Sequence, residues 1–311
     1  MLRRVLLAAS ASQRVRRVIT TAPVTRSVVR RFVAGESAAD AIAVVERLLA
    51  SGLLVTLDYL GEDTEDAEHA AAVAREYVAL IEALAARGMT FHGRTEVSVK
   101  PTAVGLGLPE HGEKTAAENI ARICAAARNA GTTVTLDMED HTRVEATIRL
   151  VHELRADYPD LGCVLQSYLR RTPGDCQALS EAGSRVRLCK GAYSAPDGVA
   201  LPARSEVDRS YARCVRILFD GAGYPMLATH DPRLIAIAQS RASTLGRAAD
   251  TFEYQMLYGI RPDEQRRLAG EGAQVRVYVP YGSDWYGYLV RRLAERPANL
   301  AFFLRALRSR S

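Results

Sequence analysis

The sequence predicts an α/β protein of the (β/α)8, TIM-barrel type. Eight short apolar runs alternate with amphipathic, often alanine-rich stretches, the rhythm that a parallel sheet with crossover helices requires. None of the runs leads into the Gly-rich turn of a doubly wound, nucleotide-binding sheet: Gly105 and Gly107 begin one, but Glu110 stands where the third glycine belongs. A chain of 311 residues suits a single barrel.

The elements follow in order. Helical spacing of Ala, Ile, Val and Leu over 36–51 ends at Gly52, before the β-branched run LLVTLDY. A long helix over 65–87 precedes EVSVKPT, and another over 115–130, stopped by Gly131, precedes TVTLDMED. Helices over 141–157 and 175–182 lead to GCVLQSYL and RVRLCKGAY, and one over 203–220 to YPMLATHD. Asp231-Pro232 is a local start signal, an N-cap candidate followed by proline at the first helical position, for a helix over 232–245 before TFEYQMLYG. A helix over 262–269, closed by Gly270, precedes QVRVYVPYG, and the chain restarts as an amphipathic helix at Asp284. Two units are expected: a basic helical arm, residues 1–35, and the barrel, residues 36–311.

Composition sets the class. Hydrophobic residues at 48% and charged residues at 25% describe an ordinary globular protein. The formal charge of +5 is carried almost wholly by arginine, with lysine only at 100, 114 and 190. Five scattered cysteines without CxxC spacing indicate neither a disulfide framework nor a zinc knuckle, and point to a reducing compartment. No apolar run reaches the roughly 20 residues that cross a bilayer. The arm has eight arginines and no acid before Glu36, so it can pack on the barrel or touch anionic lipid. A nucleic-acid role would call for clustered arginines interleaved with aromatics, which this chain lacks beyond the arm.

In a barrel the C-terminal strand ends form one mouth. The reading places polar residues there on strand after strand: Lys100, Asp137, Gln166, Arg187 with Lys190, Thr229 with His230, Glu253 with Gln255, and Tyr278. Two of the three lysines lie at such ends in an arginine-rich chain, which implies a need for a compact, titratable ammonium. After the last strand, Tyr288, Arg291, Arg292 and Glu295 share one helical face; paired guanidinium forks suit a carboxylate. No HExxH, GxSxG or GxxxxGK[ST] pattern occurs, so metallohydrolase, serine-hydrolase and P-loop chemistries are set aside, and no metal is expected. A Schiff base on Lys190 stays open on these grounds.

The series SVKPT, TLDMED, LQSYL, RLCKGAY, ATHD, FEYQMLYG and YVPYGSDWYGYLVRRLAERPAN, in that order, resembles the motifs of proline dehydrogenase over about residues 30–307. The similarity is to single-activity bacterial members, with nothing resembling their larger relatives' DNA-binding or aldehyde dehydrogenase modules. The resemblance implies FAD across the barrel mouth, held by Met138, Gln166, Lys190, Gly191, Ala192, Thr229 and His230, with Arg187 beside flavin N5. It implies Asp137 and Arg187 as catalytic groups. Substrate would be held by Arg291 and Arg292 as a carboxylate clamp braced by Glu295, by Tyr278 and Tyr288 along the pyrrolidine ring, and by Lys100. The tyrosine at 278 is expected to favour unsubstituted proline, since relatives that prefer hydroxyproline carry a smaller residue there. The activity implied is oxidation of L-proline to 1-pyrroline-5-carboxylate by hydride transfer to flavin N5, the first step of proline catabolism to glutamate. Electrons would go to a membrane quinone and the product to a separate pyrroline-5-carboxylate dehydrogenase. The location implied is cytoplasmic, at the inner face of the cytoplasmic membrane. The alternative is another flavin-dependent or Schiff-base barrel enzyme acting on a small carboxylate.

Overall fold

The computed structural model describes residues 29–295, and side chains through residue 290. Eight parallel strands close into a barrel in sequence order: β1 Leu54–Tyr59, β2 Thr95–Val99, β3 Val134–Leu136, β4 Gly162–Gln166, β5 Arg185–Cys189, β6 Tyr224–Ala228, β7 Glu253–Leu257 and β8 Val275–Tyr281. Closure is made by β8 on β1, where Thr56 lies beside Tyr278 and Asp58 beside Pro280. The outer helices are α1 Ala38–Ala50, α2 Ala67–Ala85, α3 Gly112–Asn129, α4 Val144–Arg155, α5 Thr172–Ala178, α6 Arg204–Asp220, α7 Pro232–Leu245, α8 Pro262–Gly270 and α9 Trp285–Glu295.

Local chemistry explains several starts. Ser37 and Asp40 form a reciprocal capping box on α1. Asp231 caps α7 through the Arg233 N–H, with Pro232 in the first turn, as the sequence predicts. Three expected helices start three residues away from the sequence reading, and α4 is the one that begins late, at Val144. α3 begins three residues early, at Gly112, because His111 takes a left-handed conformation (φ 57°) that starts the turn. α5 runs over 172–178 rather than 175–182, with Pro173 in its first turn.

The apolar core lies between barrel and helices, where Val45, Tyr77, Ile81, Ile120, Val151, Val215 and Leu234 are buried. Each fully buried aliphatic side chain there contributes about 1.5–3 kcal/mol relative to exposure. A second apolar cluster joins Val29, Phe32 and Val33 to Ile260, Trp285, Tyr286, Tyr288 and Leu289. The chain at 34–35 is also bonded to the end of β8, by Ala34 N–H to Pro280 O and Gly282 N–H to Gly35 O, both 2.9 Å. The expected arm therefore ends as a segment packed on α9; residues 1–28 lie outside the described residues. Among the described residues no helix is long and apolar enough to cross a membrane.

Candidate active site

The interior of the barrel is charged. Side chains alternate along a strand, so every second residue points inward, and here the inward positions carry acids and bases in register. An unbroken series of ion pairs climbs the barrel. Glu253 pairs with Arg276 at 2.7 Å, Arg276 approaches Glu96 at 3.8 Å, and Glu96 pairs with Arg187 at 3.1 Å. Arg187 pairs with Asp137 at 2.7 Å, Asp137 lies 3.9 Å from Lys100, and Lys100 ends the series on Asp58 at 2.6 Å. Arg185 is a branch on Glu96 at 2.8 Å. Every charge in the ladder faces one of opposite sign, which is what makes burial of ions tolerable.

Glu96 is the hub of the lower half. It accepts from Thr56 Oγ1 at 2.7 Å and Thr133 Oγ1 at 3.2 Å as well as from the arginines. Burial acts to raise its pKa, but Arg276, Arg185 and Arg187 prevail and bring it down to about 2.

Arg187 is the hub of the upper half, held from four directions. Its Nε donates to Gln255 Oε1 at 2.5 Å, Nη1 to Ser98 Oγ and Asp137 Oδ1 at 2.7 Å each, and Nη2 to Glu96 Oε1. The guanidinium carbon sits 5.4 Å from the centre of the Tyr278 ring, a cation–π contact. Tyr278 donates its hydroxyl to Asp137 Oδ2 at 2.6 Å, and burial together with Asp137 keeps that phenol protonated well above the ordinary range. Burial alone would lower the Lys100 pKa; the carboxylates of Asp58 and Asp137 outweigh it and hold the ammonium charged.

Four residues singled out from the sequence thus meet in direct contact: Lys100, Asp137, Arg187 and Tyr278. Gln166, at the end of β4, donates to the Met138 carbonyl at 3.3 Å. Lys190 pairs with Asp208 at 2.6 Å and Asp231 at 3.3 Å, so its nitrogen is engaged by two carboxylates instead of standing alone as a Schiff-base amine. Thr229 Oγ1 accepts the Asp231 N–H, and His230 Nε2 accepts the Leu257 N–H at 2.9 Å, which leaves Nδ1 as the protonated ring nitrogen. Gly191 (φ 92°) leads from Lys190 to Ala192 where an added Cβ would run into the Tyr168 ring. Tyr288 is buried in the apolar cluster of α9. Arg291, Arg292 and Glu295 lie on the α9 backbone, and their side chains fall outside the described residues.

Four placements are corrected: Arg187, Gln255 and Tyr278 lie in the middle of β5, β7 and β8 instead of at their C-terminal ends. Glu253 opens β7 and does not close it, so it stands at the lower end of the ladder, away from the mouth. Asp58, Glu96, Ser98 and Arg276 were not singled out from the sequence and are integral to the ladder. A period-two reading of β1 and β2 marks Thr56 with Asp58, and Glu96 with Ser98 and Lys100, as inward sets.

At the end of β4, Gln166 Oε1 and the Tyr168 hydroxyl are buried with no hydrogen-bond partner among the described residues. Buried polar atoms without a partner are costly, so this edge of the mouth has the chemistry of a site that receives hydrogen-bonding groups from a ligand. Among the described residues no cluster of His, Cys, Asp and Glu is arranged to hold a metal.

The family model for proline dehydrogenase matches residues 41–305. The chain belongs to the proline dehydrogenase family. It is similar to a proline dehydrogenase of Deinococcus radiodurans, 43% identical over 281 residues, 89% of either chain. It is similar to proline dehydrogenase 1 of Bacillus subtilis (strain 168), 38% identical over 91% of either chain. Among solved structures it resembles proline utilization A (PutA) of Bdellovibrio bacteriovorus inactivated by N-propargylglycine, with a TM-score of 0.78 and 25% identity over 86% of this chain. It spans 32% of that longer protein. Membership in the proline dehydrogenase family makes this chain an enzyme of proline oxidation, and the closed barrel is the architecture shared with that structure.

Proposed function

We propose that this chain oxidises L-proline to 1-pyrroline-5-carboxylate with FAD bound at the barrel mouth. The observation that carries the reading is the upper ladder, in which Arg187 and Tyr278 inside β5 and β8 are fixed in mutual contact with Asp137 and Lys100, which follow the ends of β3 and β2. The unpartnered Gln166 Oε1 and Tyr168 hydroxyl fit a flavin, whose ring and side chain carry hydrogen-bonding groups. Met138, Gln166, Lys190, Gly191, Ala192, Thr229 and His230 would hold it, and when bound it supplies the two-electron acceptor that the side chains lack.

The chain's own residues do the rest. Arg187 presents a cation that its four partners hold in place before reaction, so little reorganisation is needed when negative charge develops beside it. Proline must lose its ammonium proton before the carbon next to nitrogen can give up hydride, and the cations of Arg187 and Lys100 disfavour the ammonium form. Asp137 opposes them, but Arg187 and Tyr278 take up its two oxygens. Arg291 and Arg292, braced by Glu295, would clamp the carboxylate, and Tyr278 with Tyr288 would line the ring. A membrane quinone as electron acceptor, a cytoplasmic location at the inner membrane face, and a separate pyrroline-5-carboxylate dehydrogenase as the next enzyme complete the proposal.

The test is the visible spectrum of purified protein, recorded anaerobically before and after L-proline. A flavin band that bleaches with L-proline but not with D-proline or hydroxyproline is expected. A flavin indifferent to L-proline, or no flavin, refutes the reading.

A further inference from the structure

Glu139 lies two residues beyond Asp137, is 4% exposed, and has no part in the ladder. Its partner is Thr102, 2% exposed, in the 3-10 turn Pro101–Val104 that Lys100 begins. That turn has a capping problem. Pro101 has no N–H, and Lys100 offers no side-chain acceptor to the N–H that follows. Glu139 solves it from the segment after β3: Oε2 accepts the Thr102 N–H at 3.0 Å and Oε1 accepts the Thr102 hydroxyl at 2.5 Å. Thr102 then passes the hold on. Its hydroxyl accepts the Asp63 N–H at 3.1 Å, and its carbonyl accepts from Thr64, from N–H at 3.3 Å and from Oγ1 at 3.0 Å.

We propose that Glu139 is a positioning residue for Lys100: acting through Thr102, it fixes the turn from which Lys100 projects and fastens the 61–66 segment after β1 to the same turn. One carboxyl thus joins the segments that follow β1, β2 and β3. It rests on the reading above in placing Lys100 beside substrate. Restraint of the turn limits the directions the Lys100 ammonium can take, and so keeps it on Asp58 and near Asp137.

The hold is sensitive to pH. Burial pushes the Glu139 carboxyl up to about 7 against the two bonds from Thr102. The Lys100 ammonium, at the end of β2, favours the charged form, and Glu62, after β1, opposes it. On its own segment Asp137 is engaged by Arg187, Ser98 and Tyr278, and Asp140 by Thr142. A proton on Glu139 occupies an oxygen that the Thr102 donors use, so the full hold belongs to the ionised form.

The experiment uses full-length wild type, Glu139→Gln, Thr102→Val and Thr102→Ser. Amide hydrogen exchange at residues 63, 64 and 102 is followed without substrate, and KM and kcat for L-proline are followed from about pH 6 to about pH 9. Glu139→Gln and Thr102→Val should exchange at least about tenfold faster at these amides and raise KM about tenfold with flavin content unchanged. Thr102→Ser should restore both, and the inflection near pH 7 in kcat/KM should vanish in Glu139→Gln. Exchange in Glu139→Gln equal to wild type, or no rescue by Thr102→Ser, overturns the proposal. Should Glu139→Gln fail to fold, Thr102→Val carries the same expectation. Wild type that does not turn over L-proline defeats the substrate reading alone, and the exchange rates still decide for or against Glu139.

Discussion

Replacing Glu96 by glutamine tests the charge ladder where it is most concentrated. The substitution keeps the shape but leaves one acceptor oxygen where the carboxylate receives Thr56, Thr133, Arg185 and Arg187. Removing one partner from a buried ion pair costs about 3–5 kcal/mol, because the remaining charge stays buried without compensation. The fall of the carboxyl from 4.5 to about 2, at ~1.4 kcal/mol for each pH unit, makes its ionised form worth about 3 kcal/mol to the fold. The sign follows from proton binding. Between pH 4.5 and about 2 the unfolded chain holds a proton that the folded chain rejects, so this stability is complete above pH 4.5 and is lost as pH falls toward 2. Equilibrium urea unfolding at neutral pH, followed by two probes whose transitions coincide, should show a loss of about 3–5 kcal/mol. Repeating it toward acid should show the gap closing, and removing Arg185 as well should recover about 1 kcal/mol. A loss below about 1 kcal/mol at neutral pH, or a gap that does not narrow in acid, would refute the assignment of Glu96 as the counter-charge of the barrel.

Three further outcomes are expected. Tyr278→Phe deletes the 2.6 Å bond to Asp137; a bond to a charged group is worth about 1.5–3 kcal/mol, so kcat/KM for L-proline should fall about tenfold to a hundredfold in steady-state assays, with flavin content unchanged. Gly191→Ala drives a Cβ into the Tyr168 ring at a positive φ, so flavin retained per chain, read from visible absorbance, should drop. Glu139 acts opposite to Glu96: its folded pKa of about 7 means the folded chain keeps a proton that the unfolded chain has released above 4.5. Stability should therefore decline by about 3 kcal/mol as pH rises from 4.5 to 7, and urea midpoints of Glu139→Gln should lack that decline.

The barrel was legible because its signals are local. Apolar runs follow helix stops such as Gly52 and Gly131, and strand parity separates inward from outward side chains. Depth was not legible. Glu253 and Gln255 share a parity, yet Gln255 lies about 7 Å higher at ~3.3 Å per residue, enough to move the acid from the mouth to the lower ladder. Glu96 and Arg276 escaped notice for a related reason. A charge in the middle of a strand reads from sequence as an outward residue, and only closure of the barrel brings Glu96, Arg185, Arg187 and Arg276 together across its axis. Glu139 was hidden because its partner Thr102 is 37 residues away on another strand's turn, a pairing that no spacing rule encodes.

The ladder from Asp58 to Glu253 also constrains how such a chain can change over generations. A single substitution along it strands a neighbour of opposite charge, whereas loss of an adjacent acid and base together leaves the count balanced. Effects at these positions are therefore strongly non-additive, and viable variants should be reached by compensating pairs such as Glu253 with Arg276. In an alignment of relatives the informative unit is the set of neighbouring columns, and tolerance at any one of them depends on what its partner has already become.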